Sequence, residues 1–433
     1  MWRWMVPGLH IKRHLSLVGL GLLIIGAAVG LEWLLPHWAA MGHVARVRYL
    51  LGLFGVGIIL VAVGMVQLVR SVARAFNLPR EALPDLLRLR HRAVRGPKVV
   101  ALGGGTGMPA LLRGLKEYTG NITAVVTVAD DGGSSGRLRG DYNMLPPGDL
   151  RNCLVALADA EPLVRDLFQY RFEQGELSGH SFGNLFIAAL QQTTGEFVTA
   201  LEAASRVLAV RGAVLPATLD PVTLAAELDD GRVIHGESRI GAAPSRIRRV
   251  WLEPEGATPL YEAIRAIEDA DLVVIGPGSL YTSVIPNLLV RPIQDAVQST
   301  KALRVYVTNV MTEPGETTGF SAADHWKALW DHAGRGVADV LLVNSEPVPK
   351  DVLERYRREG AEAVRFLGPL PRGIPVVREP LLEVDEMVRH DSGRLARAVL
   401  RLLLRYRPEW SRRHPWDSLL LEQRLRAARE EGQ

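Results

Sequence analysis

The sequence predicts an α/β protein built on a doubly wound, mostly parallel sheet with a small antiparallel insertion, preceded by a two-helix transmembrane hairpin. Three observations predict it. Two long uncharged apolar runs open the chain, strand-length apolar runs then alternate with segments of helical period, and those strand-like runs end in glycines or polar residues. The 433 residues, 48% hydrophobic and 23% charged, suffice for a large core, and the single cysteine, Cys153, excludes internal disulfides and cysteine-cluster zinc sites.

The first apolar run is Leu15 to Leu31, 17 uncharged residues that resume after Glu32 through Leu35; the second, Tyr49 to Val69, is 21 residues without a charge. A helix needs roughly 20 residues to cross the hydrocarbon layer. Spans are therefore expected at about 15–35 and 49–69. Trp2, Trp4, Trp33, Trp38 and Tyr49 near the run ends suit the headgroup region. Arg3, Lys12 and Arg13 precede the first run, only Arg46 and Arg48 lie between the two, and Arg70, Arg74, Arg80 and further arginines follow the second. That bias puts both termini and the main domain on the cytoplasmic side of the cell membrane. A cleaved signal peptide fits less well, because a second span follows and no small-residue cleavage site stands out. Gly26 and Gly30 form a G-x-x-x-G pair of the kind that packs helices. Residues 71–97, with Pro79, Pro84, Pro97 and several arginines, read as a juxtamembrane linker suited to anionic lipid.

The net charge of +4 hides an asymmetry. Residues 1–97 carry 12 Lys/Arg against 3 Asp/Glu, and the rest carries 39 against 44. A protein that binds a phosphate backbone would place its basic excess on the folded domain, so nucleic acid is disfavoured as a partner. Membrane lipid is the partner that the basic segment implies.

From Lys98 the pattern is strand, turn, helix. K-V-V-A-L ends in Gly103-Gly104-Gly105-Thr106-Gly107, Met108 to Tyr118 has helical spacing, and Ile122 to Ala129 is a second buried strand. This is a βαβ unit of Rossmann-like character, whose glycine turn exposes backbone amides to a phosphate at a helix N-terminus. Asp130 and Asp131, at the end of the second strand, are placed to bind a ribose hydroxyl or a phosphate-bound Mg²⁺. Met108 stands where a dinucleotide fingerprint has its third glycine, and no Gly-Lys-Ser/Thr follows, so a P-loop is excluded. An NAD-dependent oxidoreductase keeps only the βαβ unit in its favour.

Later loops, the first of them Asp130 to Arg139, add to the site. Asp130 to Arg139 offers amides, the hydroxyls of Ser134 and Ser135 and the cations of Arg137 and Arg139. Leu272 to Ile275 is a strand followed by Gly276, Gly278, Ser279, Thr282 and Ser283, a second phosphate-facing loop. Val305 to Val310 and Val340 to Asn344 are further strands with polar residues after them. Helices are expected at 147–159, 162–171, 182–192, 197–208, 259–270, 321–332 and 351–358. Asp230-Gly231 marks a hairpin, within a small antiparallel element expected from about 213 to 253. The Gly-Pro-Gly-Ser of 276–279 is not a nucleophile elbow, and the histidines show no metal-binding spacing, so no catalytic nucleophile or resident metal is assigned.

Taken together, G-G-G-T-G at 103, the A-D-D-G-G-S-S-G-R-L-R that ends at Arg139, L-P-P-G-D-L-R-N at 145, F-Q-Y-R-F at 168, G-H-S-F-G-N-L at 179, G-P-G-S-L-Y-T-S at 276, N-V-M-T-E-P-G-E-T at 309 and H-D at 390 resemble the YvcK family. This family, often labelled gluconeogenesis factor, is similar in fold to CofD, the 2-phospho-L-lactate transferase. The resemblance covers about residues 98–405. It implies a domain that binds a nucleotide-sugar, UDP-N-acetylglucosamine first, in a regulator of gluconeogenic growth, cell shape and cell-wall synthesis. A non-catalytic regulator is the first reading and a CofD-like transferase the alternative. Asn152, His180 and Asn184 lie at expected helix starts, where they either cap the helix or contact the ligand, and Thr312 and Glu316 are further candidates; the resemblance marks Tyr356 and Arg389 as ligand contacts, with the Tyr356 ring suited to stacking on uracil and Arg389 to holding phosphate. Cell-wall or signalling proteins are the partners it implies, and a homo-oligomer stays open. Residues 406–433, rich in arginine, form an extension whose Trp410, Trp416 and Leu419 to Leu421 are expected to dock on the domain rather than on lipid.

Overall fold

The computed structural model describes residues 11–34, 43–75, 96–243, 245–366, 374–385 and 387–430. It divides into two compact units, Met1–His91 and Arg92–Gln433. Trp2, Trp4, Trp38, the side chain of Trp33 and the linker residues 76–95 lie outside the described residues.

The first unit is a pair of helices, Ile11–Leu34 and His43–Ala75. Glycines set their approach. A Cβ on Gly21 would stand 2.7 Å from the Gly57 carbonyl oxygen, and one on Gly64 would stand 3.1 Å from that of His14. Gly26, expected in the packing face, is exposed and has open space beside it. The small-residue seam is formed by Gly21, Gly57 and Gly64 instead. His14 Nδ1 and Gln67 Oε1 lie 3.0 Å apart across the pair. Val47–Gln67 is long and apolar enough to cross a membrane, with a mean hydropathy of 2.5, whereas the apolar part of the first helix, His14–Ala28, is shorter. Lys12, Arg13 and Glu32 lie within the first helix and shorten its uncharged interior.

The second unit is an α/β fold around a seven-stranded sheet. Its strands, in chain order, are β1 (Val99–Gly103), β2 (Ile122–Val126), β3 (Ala213–Pro216), then β4 (Thr223–Leu228), β5 (Val233–His235) and β6 (Ile247–Glu253) of a separate sheet, and β7 (Leu272–Ile275), β8 (Leu303–Val307), β9 (Val340–Asn344) and β10 (Val376–Glu379). The order across the large sheet is β10-β9-β8-β7-β1-β2-β3, and every neighbouring pair is parallel. Helices cover both faces, so the central strands are apolar without alternation: all five residues of β1 and all four of β7 are buried. The chain winds outward from β1 through β2 to β3, then returns to the other side of β1 as β7. The direction of winding therefore reverses between β1 and β7, and open α/β sheets bind ligands in the crevice at such a point.

The expected hairpin is β4 and β5, turning at Asp230-Gly231, and β6 completes a three-stranded antiparallel sheet in the order β5-β4-β6. The expectation of an insertion starting near 213 is corrected: Ala213–Pro216 is the edge strand of the main sheet, paired with β2, and the insertion starts at Thr223. The four apolar residues Ala213-Val214-Leu215-Pro216 carry no signal separating a parallel edge from a hairpin strand. A second correction concerns Asp130 to Arg139. Most of that segment is a helix, Gly133–Tyr142, entered through Gly133 at φ +50°. A small hairpin, β11 (Leu382–Val384) with β12 (Val388–His390), precedes the helix Ser392–Tyr406. That helix lies against Gly107–Leu115, where a Cβ on Gly114 would collide with the Ser392 carbonyl.

The C-terminal segment docks, as expected, through Trp410 and Leu421 of the expected residues, joined by Leu425, and not through Trp416, Leu419 or Leu420. Trp410, Leu421 and Leu425 are buried in the main core, and Arg424 Nη1 donates to the Tyr118 carbonyl at 3.1 Å. Trp416 is 75% exposed, and Leu419 and Leu420 also face outward.

Candidate functional site at the β1/β7 switch point

Two glycine-bearing turns meet where the winding reverses. Gly103 ends β1, Gly104–Thr106 turn, and Gly107 opens a nine-residue helix. Gly276-Pro277-Gly278-Ser279 follows β7. A Cβ on Gly107 would stand 2.6 Å from the Pro277 carbonyl, and one on Gly278 would stand 3.0 Å from that of Gly104. Only glycine lets these backbones touch. Gly276 N–H donates to the Leu102 carbonyl at 2.8 Å, and Asn287 Nδ2 donates to the Gly103 carbonyl at 3.0 Å, which fixes the two turns to the sheet.

A cavity of about 330 Å³ opens beside them. Thr106, Gly107, Gly278, Thr312, Tyr356 and Arg389, six residues expected at the site, all line it, together with Asn309, Glu313 and His390. Thr312 is buried and its Oγ1 accepts the Glu362 N–H at 2.8 Å, leaving its own hydroxyl proton to donate. The Tyr356 hydroxyl accepts the Val388 N–H at 2.8 Å, so the tyrosine ties the β11–β12 hairpin to the helix Lys350–Arg358 while its ring walls the cavity. Arg389 sits on that hairpin opposite Glu383. His390 is buried, and burial pushes its imidazole down to about 4, so it is neutral at physiological pH; its Nε2 has no hydrogen-bond partner among the described residues.

On the same turn, a group of carboxylates gathers. Gly105 N–H donates to Asp149 Oδ2 at 2.6 Å. Burial raises the Asp149 carboxyl to about 6, against the stabilising Gly105 N–H. Asp130 is also raised by burial, although Oδ1 accepts the Gly132 N–H at 2.9 Å and Ser135 bonds to the carboxylate. Glu237 is driven well above the carboxylate range by burial and then by Asp130 and Asp149, and its Oε2 is buried without a hydrogen-bond partner among the described residues. Glu313 is raised by burial. Glu316 is raised to about 8 by burial and by Glu313, while Thr282 Oγ1 donates to its Oε1 at 2.8 Å and Tyr281 N–H to its Oε2 at 3.2 Å. Glu237 and Glu316 therefore hold protons near neutral pH. Among the described residues no three Asp, Glu, His or Cys side chains are placed to chelate one metal ion.

The remaining expected residues fall elsewhere. Ser135 Oγ accepts the Gly148 N–H at 3.2 Å beside Asp130, and Ser279 and Thr282 approach the acids. Ser134, His180 and Asn184 bond one another: Asn184 Nδ2 donates to Ser134 Oγ at 3.1 Å, and His180 Nδ1 lies 3.1 Å from the same oxygen. Burial and then Arg137 push the His180 imidazole down. Asp131 Oδ1 accepts the Ser238 N–H at 2.9 Å and so pins the antiparallel insertion. Arg137 donates to the Ser178 carbonyl at 2.9 Å, and Asn152 Oδ1 accepts from Arg151 at 2.7 Å. Arg139 donates to the Val222 carbonyl at 2.8 Å and lines a separate cavity. Neither cavity brings Asp131, Arg137, Asn152, His180 or Asn184 onto its walls. Asp149, Glu237 and Glu313 were absent from the sequence reading of the site. For Asp149 a signal existed, since it follows Pro-Pro-Gly just before a helix.

This arrangement has counterparts. Residues 99–382 match the family model described as 2-phospho-L-lactate transferase CofD. The gluconeogenesis factor of Bacillus subtilis is 51% identical over 71% of this chain and 98% of its own length. A relative in Clostridium acetobutylicum is 42% identical over 98% of this chain and 97% of its own length. A crystal structure of a Bacillus halodurans protein superposes with a TM-score of 0.67 at 47% identity, covering 70% of this chain and 99% of that one. With a superposable fold and this identity along nearly the whole length of its relatives, the chain belongs to the gluconeogenesis factor family, and residues 99–382 form its CofD-like domain.

Proposed function

We propose that the protein is a membrane-tethered regulator that binds a nucleotide-sugar of the UDP-N-acetylglucosamine type in the cavity beside the two glycine turns, and that occupancy regulates gluconeogenic growth, cell shape and cell-wall synthesis. The observation that carries this reading is the convergence of the Tyr356 ring, Arg389, Thr312 and the Gly107/Gly278 backbones on one cavity at the switch point. An aromatic wall for a base, a cation for a phosphate and glycine turns for close backbone approach are the parts a nucleoside diphosphate requires. The name of the relatives, gluconeogenesis factor, supports the gluconeogenic part of this reading. Mg²⁺, if bound with the ligand, would be held by phosphate oxygens plus one or two carboxylates such as Asp130 and Asp149, which is its usual mode at phosphate sites. The apolar Val47–Gln67 helix and its partner would hold the domain at the cytoplasmic face of the cell membrane, with cell-wall or signalling proteins as readers of the occupied state.

Thermal unfolding of the full chain in detergent with UDP-sugars, UDP, GDP and NAD tests the ligand. A ligand at 100 times its Kd adds about 2.7 kcal/mol. Selective stabilisation by UDP-N-acetylglucosamine, lost in Arg389→Ala, is the expected result; stabilisation by GDP or NAD alone would remove the reading. Sedimentation of the chain with the membrane fraction, lost on deleting residues 1–91, tests the tether. A transferase of the CofD type is the second reading, favoured by the family match and by the carboxyls that burial raises beside the turn. Turnover of a nucleotide-activated phospho-lactyl donor that disappears in Asp130→Asn while binding persists would decide for it.

A further inference from the structure

A second cavity, of about 500 Å³, lies apart from the first and shares none of its lining residues. Arg139, on the helix Gly133–Tyr142, forms part of its wall. The guanidinium is only partly used: Nη2 donates to the Val222 carbonyl and to Thr223 Oγ1, while Nη1 is buried without a hydrogen-bond partner among the described residues. Gln191 lines the same cavity, and its Oε1 is likewise buried and unpartnered among the described residues. A buried donor of full positive charge and a buried acceptor, both unpaired, are costly to keep unless something fills the space between them.

A third group faces the same cavity. Phe197 and Val198, also in its lining, begin the 11-residue helix Phe197–Val207, which has no side-chain cap. Its first intrahelical bond is Ala200 N–H to the Glu196 carbonyl, so the amides of the first turn are free and carry the positive end of the helix dipole. Glu196, the N-cap residue, also lines the cavity, but it is exposed, and its carboxylate accepts the Thr199 hydroxyl at 3.2 Å. Asn143 adds one more polar wall residue, and the rest of the lining is apolar: Met144, which is buried, Leu145, Pro221, and Leu219, 46% exposed.

We propose that this second cavity binds a small organic anion: a carboxylate or phosphate monoester, held by Arg139 and the first turn of the Phe197 helix, on an apolar body that carries a hydrogen-bond donor for Gln191. The volume falls within the range of small-molecule sites, and a few convergent polar groups on apolar walls are their usual make-up. The chemistry also accounts for Arg139. Sequence reading gave it to the nucleotide phosphates, and the fold gives it a different anion.

The test uses the full chain in detergent, with phenyllactate for the carboxylate, phenyl phosphate for the monoester and benzyl alcohol as the neutral control, followed by saturation-transfer NMR. Arg139→Gln is the blank for partition into the micelle. Binding of one or both anions above that blank is expected, weakened about tenfold or more in Arg139→Gln. Which anion binds tells carboxylate from phosphate. Leu219→Trp, at an exposed position, should block binding while the melting temperature holds, which keeps the test independent of any folding defect in Arg139→Gln. Equal signals from benzyl alcohol and the anions, anion signals unchanged in Leu219→Trp, or displacement by UDP-N-acetylglucosamine would each overturn the proposal.

Discussion

The backbone N–H of Gly105 donates to the Asp149 carboxylate at 2.6 Å, so one of the amides that the glycine turn offers to a phosphate is already occupied by an acid from the neighbouring helix. An anionic ligand cannot take that amide until Asp149 is protonated or moves.

The sign of the pH effect follows. Asp149 has its carboxyl raised to about 6 by burial, and the protonated form is the one that tolerates a phosphate beside it. Affinity for UDP-N-acetylglucosamine, whose diphosphate does not titrate in this range, should rise as pH falls from 8 to 6, by up to about tenfold per pH unit above the carboxyl's pKa. Asp149→Asn should flatten the profile. Isothermal titration between pH 6 and 8 decides it, and a rise of affinity with pH would mean that the carboxylate instead serves a cation brought with the phosphate.

Glu316 gives a stability prediction of opposite use. Its folded-state carboxyl lies near 8, above the ordinary value of 4.5, so the folded state binds a proton that the unfolded chain has lost. Stability from this group is fully present at low pH and drains as pH rises from about 4.5 to 8, because the native state holds more protons there. Glu316→Gln keeps the shape and carries no charge. It should melt higher than the parent at pH 8 to 9 and lose that advantage near pH 5, a crossing that differential scanning calorimetry at three pH values would show.

Much of this architecture was legible in the sequence, and the parts that were not share a cause. Strands buried on both faces are continuous apolar runs, so β1, β2, β7, β8 and β9 are plain from Val99 onward, as are helices with one apolar stripe. The Gly133–Tyr142 helix is not: its Gly-Ser-Ser-Gly start has poor helix propensity, and Leu138 is its one buried apolar side chain. Tertiary contacts, Ser134 with His180 and Asn184 among them, hold it. The edge strands β10 to β12 are short and half-exposed, without a clean alternation to read. At the site, the glycine turns, Thr312, Tyr356 and Arg389 were readable one motif at a time. The carboxylate group was not, because Asp130, Asp149, Glu237, Glu313 and Glu316 come from separate segments that only the switch point brings together.

Tyr356 separates binding from scaffolding. Its hydroxyl holds the Val388 N–H, and its ring lines the cavity. Tyr356→Phe leaves the ring and removes the acceptor, which should cost about 1 kcal/mol of stability and leave nucleotide affinity within a few-fold. Tyr356→Ala removes both and should weaken affinity by about tenfold or more. Binding and melting measured on both variants check the split; equal affinity losses would place the effect in the hydroxyl.

The docked tail makes a contrast between neighbours on one helix, Pro415–Glu430. Leu421 is 3% exposed within the main core, and Leu421→Ala should cost about 2 to 4 kcal/mol through lost burial and the cavity left behind. Trp416, 75% exposed, contributes little buried area, so Trp416→Ala should leave the midpoint nearly unchanged. Chemical denaturation of the two variants gives the answer. Similar small effects for both would mean that the tail does not dock in solution.

The contact between Gly107 and Pro277 is the most sensitive point of the site. Gly107 has ordinary backbone angles for a helix start, so the demand for glycine there is purely one of space: a Cβ would stand 2.6 Å from the Pro277 carbonyl oxygen and 2.9 Å from the Gly278 nitrogen. Both are backbone atoms, which cannot swing aside as a side-chain end can. Gly107→Ala must therefore push the two turns apart, at about 1 to 3 kcal/mol. Because Thr106, Gly107 and Gly278 line the cavity, the same displacement reshapes that end of the cavity. Gly140→Ala is the control, since a Cβ there meets nothing within 4 Å and glycine-to-alanine in a helix favours the folded state. Gly107→Ala should lose nucleotide binding by more than its drop in stability explains, whereas Gly140→Ala should bind normally and melt slightly higher; normal binding by Gly107→Ala would show that the turns do not cradle the ligand.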